Sequence, residues 1–272
     1  MISSMTLIAC FITLFVSLLL PVIAISVLSF RNKGGKMVSA WLLGAAGFVV
    51  TQLLVRLPIL SALQNQPWFL SFSENNGFLF AFTLAFTAGL FELAGRFVVA
   101  KIMRNNLNYN RSMAAGLGHG GIEAMILVGM TYLNNILYIL MINGGTFDAV
   151  VNEAVAAGVD VSALMQIKDQ LLNASPALFL LGGFERILAM IAHLAMSMIV
   201  CYGVHFGKPL KSALVCLGIH TLLDLTAGIS MLIGKGLSQT AAYVIIYAIL
   251  IVMAILSILI IRKIRRDWRE ME

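Results

Sequence analysis

Charge is scarce in this chain of 272 residues: 11% are Asp, Glu, Lys or Arg, against 60% hydrophobic residues and a mean hydropathy of +0.96. That composition excludes a soluble globular domain. Cysteine is scarce as well. Cys10, Cys201 and Cys216 lie within or at the ends of apolar runs with no CxxC spacing, which argues against a disulfide framework and a thiolate metal site and leaves core packing as their role. No segment alternates with the period of a transmembrane strand, and there is no internal repeat or low-complexity linker. Helices are then the remaining way to satisfy every backbone amide in lipid.

What the chain has instead is long apolar runs, at roughly 5–28, 38–63, 77–103, 112–141, 176–204, 209–233 and 239–262. Each is near or above the ~20 residues that cross a bilayer as helix. The expected fold class is all-α, a polytopic membrane helix bundle of about seven transmembrane helices, with 1–272 as a single integral-membrane domain. The net charge of +6 is not gathered on one face, so no nucleic-acid partner is expected. Basic residues sit at span ends instead: Arg31, Lys33 and Lys36 after the first, Lys101, Arg104 and Arg111 after the third, and Lys208 and Lys211 after the fifth. Arg262, Lys263, Arg265, Arg266 and Arg269 follow the seventh, whereas the alternate loops hold only Lys168 and Lys235 against five acids. By the positive-inside rule the N-terminus lies outside, and 263–272 is a basic cytoplasmic tail. The first span has no basic leader before it and is read as an uncleaved anchor. The one long loop, 142–175, is then extracytoplasmic; its apolar residues at helical spacing suggest surface helices, serving as a connector or as a lid for substrate entry.

Ten ionisable residues remain inside the runs: Arg56, Glu92, Arg96, His119, Glu123, Glu185, Arg186, His193, His220 and Asp224. A charge in hydrocarbon costs at least ~2.5–3.5 kcal/mol, so each is a functional hypothesis. Glu92 with Arg96, His119 with Glu123, and His220 with Asp224 are four residues apart, which puts each pair on one helix face. Arg186 and His193, seven apart, also share a face. Counted from the basic span ends, Glu92, His119, His193 and His220 fall ~12–18 Å deep, at one level. The acids outnumber the arginines, which leaves three resolutions open: a protonated carboxyl, a charged histidine or a bound metal cation. Two features have structural readings. The glycines at 116, 118, 120 and 121 suit close helix packing, and Arg56 belongs to structure or to the membrane interface.

The stretches FELAGR, GLGHGGIEA, FERILAMIAH and HTLLD, between Phe91 and Ala227, resemble the YhfC-type intramembrane peptidases and, more distantly, the PrsW and CAAX-protease-like membrane peptidases. Those broader families carry an acidic pair followed by a basic residue, then a second motif ending in His or Glu, then a late HxxxN/D. Glu92 and Arg96 match the second Glu and the Arg of the first motif, Glu123 matches the second motif, and His220 with Asp224 the last. The first Glu of the pair is Phe91 here, so its role as base falls to Glu123 or Glu92.

The resemblance implies peptide-bond hydrolysis in a bacterial cytoplasmic membrane, acting on a membrane protein or lipidated peptide. The residues that would carry it are Glu92, Arg96, Glu123, His193, His220 and Asp224. Two chemistries stay open. In one, His119, His193 and His220 hold zinc and Glu123 is the base; in the other no metal is needed and a glutamate works with histidine or arginine. Glu123 is preferred as base because Arg96 holds Glu92 ionised, which suits Glu92 to orienting or ligating. The rival class is a proton-coupled transporter using the same buried Glu, His and Arg as a relay; it is disfavoured because no inverted repeat exists and only one interrupted span is suggested, near 116–121. A catalytically inactive scaffold or chaperone is the third class.

Cysteine-accessibility mapping is expected to label residues 143–174 from outside the cell and the C-terminal tail only from within. Labelling of 143–174 from the cytoplasm would overturn the topology.

Overall fold

The computed structural model describes residues 1–32, 36–230 and 236–270. Lys33, Lys235, the end of the 209–233 run and the last two residues of the tail lie outside the described residues. Among those described, every regular element is helical. Helix α1 is Ser4–Arg31, α2 is Met37–Phe48, and a π-helical stretch Val49–Arg56 follows before α3 (Leu57–Leu63). After α4 (Pro67–Asn75) come α5 (Gly77–Met103), α6 (Tyr109–Glu123), a second π-helical stretch Ala124–Gly129, and α7 (Met130–Asn143). The chain ends with α8 (Phe147–Ala156), α9 (Ser162–Asn173), α10 (Pro176–His205), α11 (Pro209–Ser230) and α12 (Gln239–Arg269).

Among the described residues, seven stretches are long and apolar enough to cross a bilayer: Ser4–Arg31, Met37–Leu63, Gly77–Asn106, Tyr109–Asn143, Pro176–His205, Pro209–Ile229 and Gln239–Arg269. The protein is an integral membrane protein of all-helical fold. Prolines open α10 and α11, where a missing N–H costs nothing. Gly207, at φ 69°, ends α10 in the left-handed conformation that favours glycine. Ser238 caps α12 by accepting from the Ala241 amide at 3.2 Å.

Two compact units make up the chain. The first comprises Met1–Leu20 and Ala124–Ile187, and its core gathers Ile2, Cys10, Ile136, Ile139, Leu171 and Phe179. Within it the carbonyl of Phe179 accepts from Thr13 Oγ1 at 2.7 Å and from Tyr132 Oη at 2.9 Å. Both hydroxyls reach it beside Gly182 and Gly183, where a side chain would collide with them. Glu185 and Arg186 also belong to this unit and form an ion pair with one another.

The second unit comprises Pro21–Glu123 and Leu188–Glu272. Here α2 lies along α6, α5 packs on α2 and α11, and α12 packs on α11. All three cysteines are buried with free thiols, Cys201 and Cys216 in this unit's core. On α12, Leu250, Ala254 and Ser257 face inward while Val252, Ile255, Leu256 and Leu259 are exposed, as lipid-facing positions should be.

The glycine-rich turn of α6 is where the helices come closest. A Cβ on Gly118 would lie 1.9 Å from the Trp41 carbonyl oxygen, and one on Gly44 of α2 would lie 1.9 Å from the Ala115 carbonyl oxygen. Gly116 meets Leu194, Gly120 meets the Cβ of His193 at 2.7 Å, and Gly121 meets Pro21 at 2.8 Å. The four glycines therefore receive neighbours from α2, α10 and the second half of α1. The expectation of an interrupted span at 116–121 is corrected: α6 is continuous there, and the π-helical winding of that span follows it at Ala124–Gly129. Glycine absent of side chain lets backbones touch without breaking the helix.

Gly118→Ala should destabilise the detergent-solubilised protein by about 1–3 kcal/mol or more, since carbonyl backbone rather than a flexible side chain must move. Gly218→Ala, with no atom within 4 Å, should be neutral in the same thermal-unfolding measurement. Equal melting of the two variants would refute close packing as the reason for the glycine.

Candidate metal centre

Glu92 of α5 is the centre of the polar cluster and is 3% exposed. Its Oε2 lies 3.0 Å from Arg96 Nη2, one turn along the same helix. The same oxygen lies 3.0 Å from His119 Nε2 of α6 and 2.7 Å from His220 Nε2 of α11. His193 Nδ1 of α10 is 3.6 Å away. Four helices of one unit thus converge on a single carboxylate oxygen. Its partner Oε1 accepts from Gln52 Nε2 at 2.7 Å.

Proton positions follow from these contacts. Arg96 Nη2 lies 2.8 Å from His193 Nδ1 and can only donate, so Nδ1 accepts and the proton of neutral His193 sits on Nε2. His119 and His220 each direct Nε2 at the Glu92 carboxylate, which accepts from the tautomer protonated on that nitrogen. Arg96 also donates from Nε to Ser197 Oγ at 3.3 Å. Its Nη1 is buried with no hydrogen-bond partner among the described residues. Beside it a cavity of about 10 Å³ is lined by Arg96, His119 and Ser197 together with Gly44, Val99, Ala115 and Cys201.

Glu123 and Asp224 complete the set. Glu123 Oε2 lies 3.1 Å from His193 Nδ1. Asp224 Oδ2 is 3.4 Å from His220 Nδ1, an ion-pair distance without hydrogen-bond alignment, and its side chain is 34% exposed. Every residue of the predicted cluster, namely Glu92, Arg96, His119, Glu123, His193, His220 and Asp224, is thus drawn together. Arg186 and Glu185 engage one another in the other unit.

Which side chains could share one ion differs from the sequence expectation. Glu92, His119 and His193, all buried, each offer a ligand atom, and these atoms lie within 4.8 Å of one another. Glu92 stands in that trio with two of the three histidines expected; His220 bonds the same carboxylate oxygen through Nε2 while its Nδ1 faces Asp224. Two imidazoles and one carboxylate form a donor set of the kind that binds divalent cations and leaves a coordination position open.

Among protein families, the model of the YhfC intramembrane metalloprotease matches residues 16–250. The chain belongs to that family. It is 30% identical over 252 residues to the uncharacterized membrane protein YhfC of Bacillus subtilis (strain 168), covering 88% of this chain and 90% of the relative. A bacterial cytoplasmic membrane fits both findings. No solved structure matches the chain. In this family member the metal-compatible residues come from the FELAGR, GLGHGGIEA and FERILAMIAH stretches, one from each.

Two residues of the site escaped the sequence analysis. Gln52 and Ser197 are buried polar side chains that touch Glu92 and Arg96, but neither is ionisable. The available signal was Gln52 four residues before Arg56 in an otherwise apolar run. The π-helical winding of Val49–Arg56 sets both toward α5, where Arg56 Nη2 donates to the Leu84 carbonyl at 2.7 Å and Nη1 to Gln52 Oε1 at 3.4 Å. Arg56 therefore has the structural role expected of it, and it also holds the amide that holds Glu92.

Gln52→Leu leaves Glu92 Oε1 buried without its donor and should lower stability by about 1–3 kcal/mol in thermal unfolding. Gln52→Glu should cost at least as much, because it opposes two carboxylates. Wild-type melting of both variants would make Gln52 a bystander.

Proposed function

We propose that this family member hydrolyses peptide bonds of membrane-spanning or membrane-associated polypeptides at a zinc ion held by Glu92, His119 and His193. The observation that carries the proposal is the convergence of those three donors, buried and within 4.8 Å of one another, at the centre of a helix bundle. Imidazole and carboxylate oxygen are ligands that zinc accepts, and a family of metalloprotease description supports the assignment. Zinc in such a set supplies Lewis acidity at the scissile carbonyl.

The chain's own groups do the rest. Glu123, adjacent to His193 at 3.1 Å, takes the proton from the attacking water and returns it to the leaving amine. Arg96 keeps Glu92 ionised through Nη2, and its Nη1 donates to the developing oxyanion. His220, between Glu92 on Nε2 and Asp224 on Nδ1, holds the Glu92 carboxylate in position. Helices around the site limit water to what the cluster itself holds, which strengthens each of these interactions.

Purified wild-type protein should carry about one zinc per chain and cleave a reconstituted membrane-spanning peptide. His119→Ala and His193→Ala should lose the metal and the activity together. Glu123→Gln should keep the metal while cleavage falls by about 10²–10⁴-fold, as expected for loss of a general base. Cleavage that survives in Glu123→Gln would move the base elsewhere. Substrate-dependent proton flux in proteoliposomes, with neither bound metal nor cleavage, would replace hydrolysis by transport.

A further inference from the structure

We infer that the second unit carries a binding site for the phosphate headgroup of an anionic phospholipid, remote from the metal centre, between the ends of α10, α11 and α12. A cavity of about 450 Å³ opens there. Three helix ends converge on it: Ile199, Tyr202 and Gly203 from α10, Lys211 and Val215 from α11 with Lys208 from the turn before it, and Ile260, Lys263 and Asp267 from the end of α12. Each set follows the three- and four-residue spacing of a single face.

Polarity in the cavity is graded along the helices. Ile199, Val215 and Ile260 lie about one turn, ~5 Å, farther from the helix ends than Gly203, Lys211 and Lys263 respectively. The inner wall is thus apolar and the outer rim basic, which is the amphipathy of a phospholipid whose acyl chains follow the helices and whose phosphate sits at their ends. The turn between α10 and α11 holds the rim in shape. Gly207 has a positive φ, and the Lys208 amide donates to the Gly203 carbonyl at 2.7 Å, folding Lys208 back over the end of α10.

The charges fit an anion. None of the three lysines forms an ion pair among the described residues, and all three are exposed. Asp267 is the one opposing carboxylate; it accepts from Tyr202 Oη at 3.1 Å and lies 3.8 Å from Arg266 Nε. Three lysines against one aspartate leave an excess of two positive charges around the cavity. Basic pockets between helices at the level of the headgroups recognise anionic lipid through this combination. A soluble phosphate compound would meet the lysines equally but would have no use for the apolar inner wall, so the lipid is the occupant assigned.

The test uses the full chain in detergent, titrated with dioctanoyl phosphatidylglycerol, dioctanoyl phosphatidylcholine or inorganic phosphate, with bound ligand counted by native mass spectrometry. One phosphatidylglycerol should bind per chain at least about tenfold more tightly than phosphatidylcholine, and inorganic phosphate should bind far more weakly than either. With each lysine contributing roughly fivefold, Lys208→Gln, Lys211→Gln and Lys263→Gln together should weaken phosphatidylglycerol binding by about 100-fold at low salt. Lys263→Gln alone, a single exposed substitution that folding tolerates, should weaken it about fivefold. Lys101→Gln with Arg104→Gln, at another helix end, should change nothing. Equal affinity for the two lipids, wild-type binding by the lysine variants, or phosphate binding as tight as phosphatidylglycerol would each overturn the assignment. Zinc content and peptide cleavage do not enter these readouts, so the result stands apart from the proposed hydrolysis.

Discussion

An ionised carboxylate buried among apolar helices needs donors on every side, and Glu92 has them. Arg96, His119 and His220 approach Oε2, and Gln52 approaches Oε1, from α5 itself, α6, α11 and the π-helical stretch after α2. Removing water from such a charge costs several kcal/mol, which only well-aligned hydrogen bonds offset. The positions of four elements are consequently tied to one side chain. The same requirement explains why the outer partners are themselves held: Arg96 by Ser197, Gln52 by Arg56, and Arg56 by the Leu84 carbonyl.

A cluster of that density can form only if the helices bearing it approach more closely than ordinary side chains permit. The glycines of α6 and Gly44 of α2 supply the approach, with backbones in contact where a methyl group would collide. Gly120 faces the Cβ of His193 directly, and Gly89 of α5 faces the Cβ of His220 at 3.3 Å. Small residues thus stand opposite two of the three histidines. Steric allowance and chemistry are coupled at these positions, because a larger residue at Gly120 would push His193 away from Arg96 and Glu123.

Proton accounting also bears on metal binding. With no cation between them, His119 donates its Nε2 proton to Glu92 and His193 accepts at Nδ1 from Arg96. A cation held by those two side chains would compete with protons for their nitrogens, so its occupancy would rise with pH. The Arg96 guanidinium bridges Glu92 and His193 through Nη2, and its Nη1 has no hydrogen-bond partner among the described residues.

Much about this protein was legible in the chain alone. Apolar runs set the seven helices, because the bilayer admits no other backbone arrangement of that length and composition. The i, i+4 spacings put Glu92 with Arg96 and His220 with Asp224 on common faces, since helical periodicity is local. Tertiary structure decided what local periodicity cannot encode: that Glu92, His119 and His193 bring ligand atoms within 4.8 Å of one another, and that His220 bonds the same carboxylate. It also decided that the glycines of α6 pack rather than interrupt, and that neutral Gln52 belongs to the site, because a π-helical winding shifts the phase by which sequence spacing is converted to direction. Distances between helices depend on the neighbours each one meets, and those neighbours are remote in sequence.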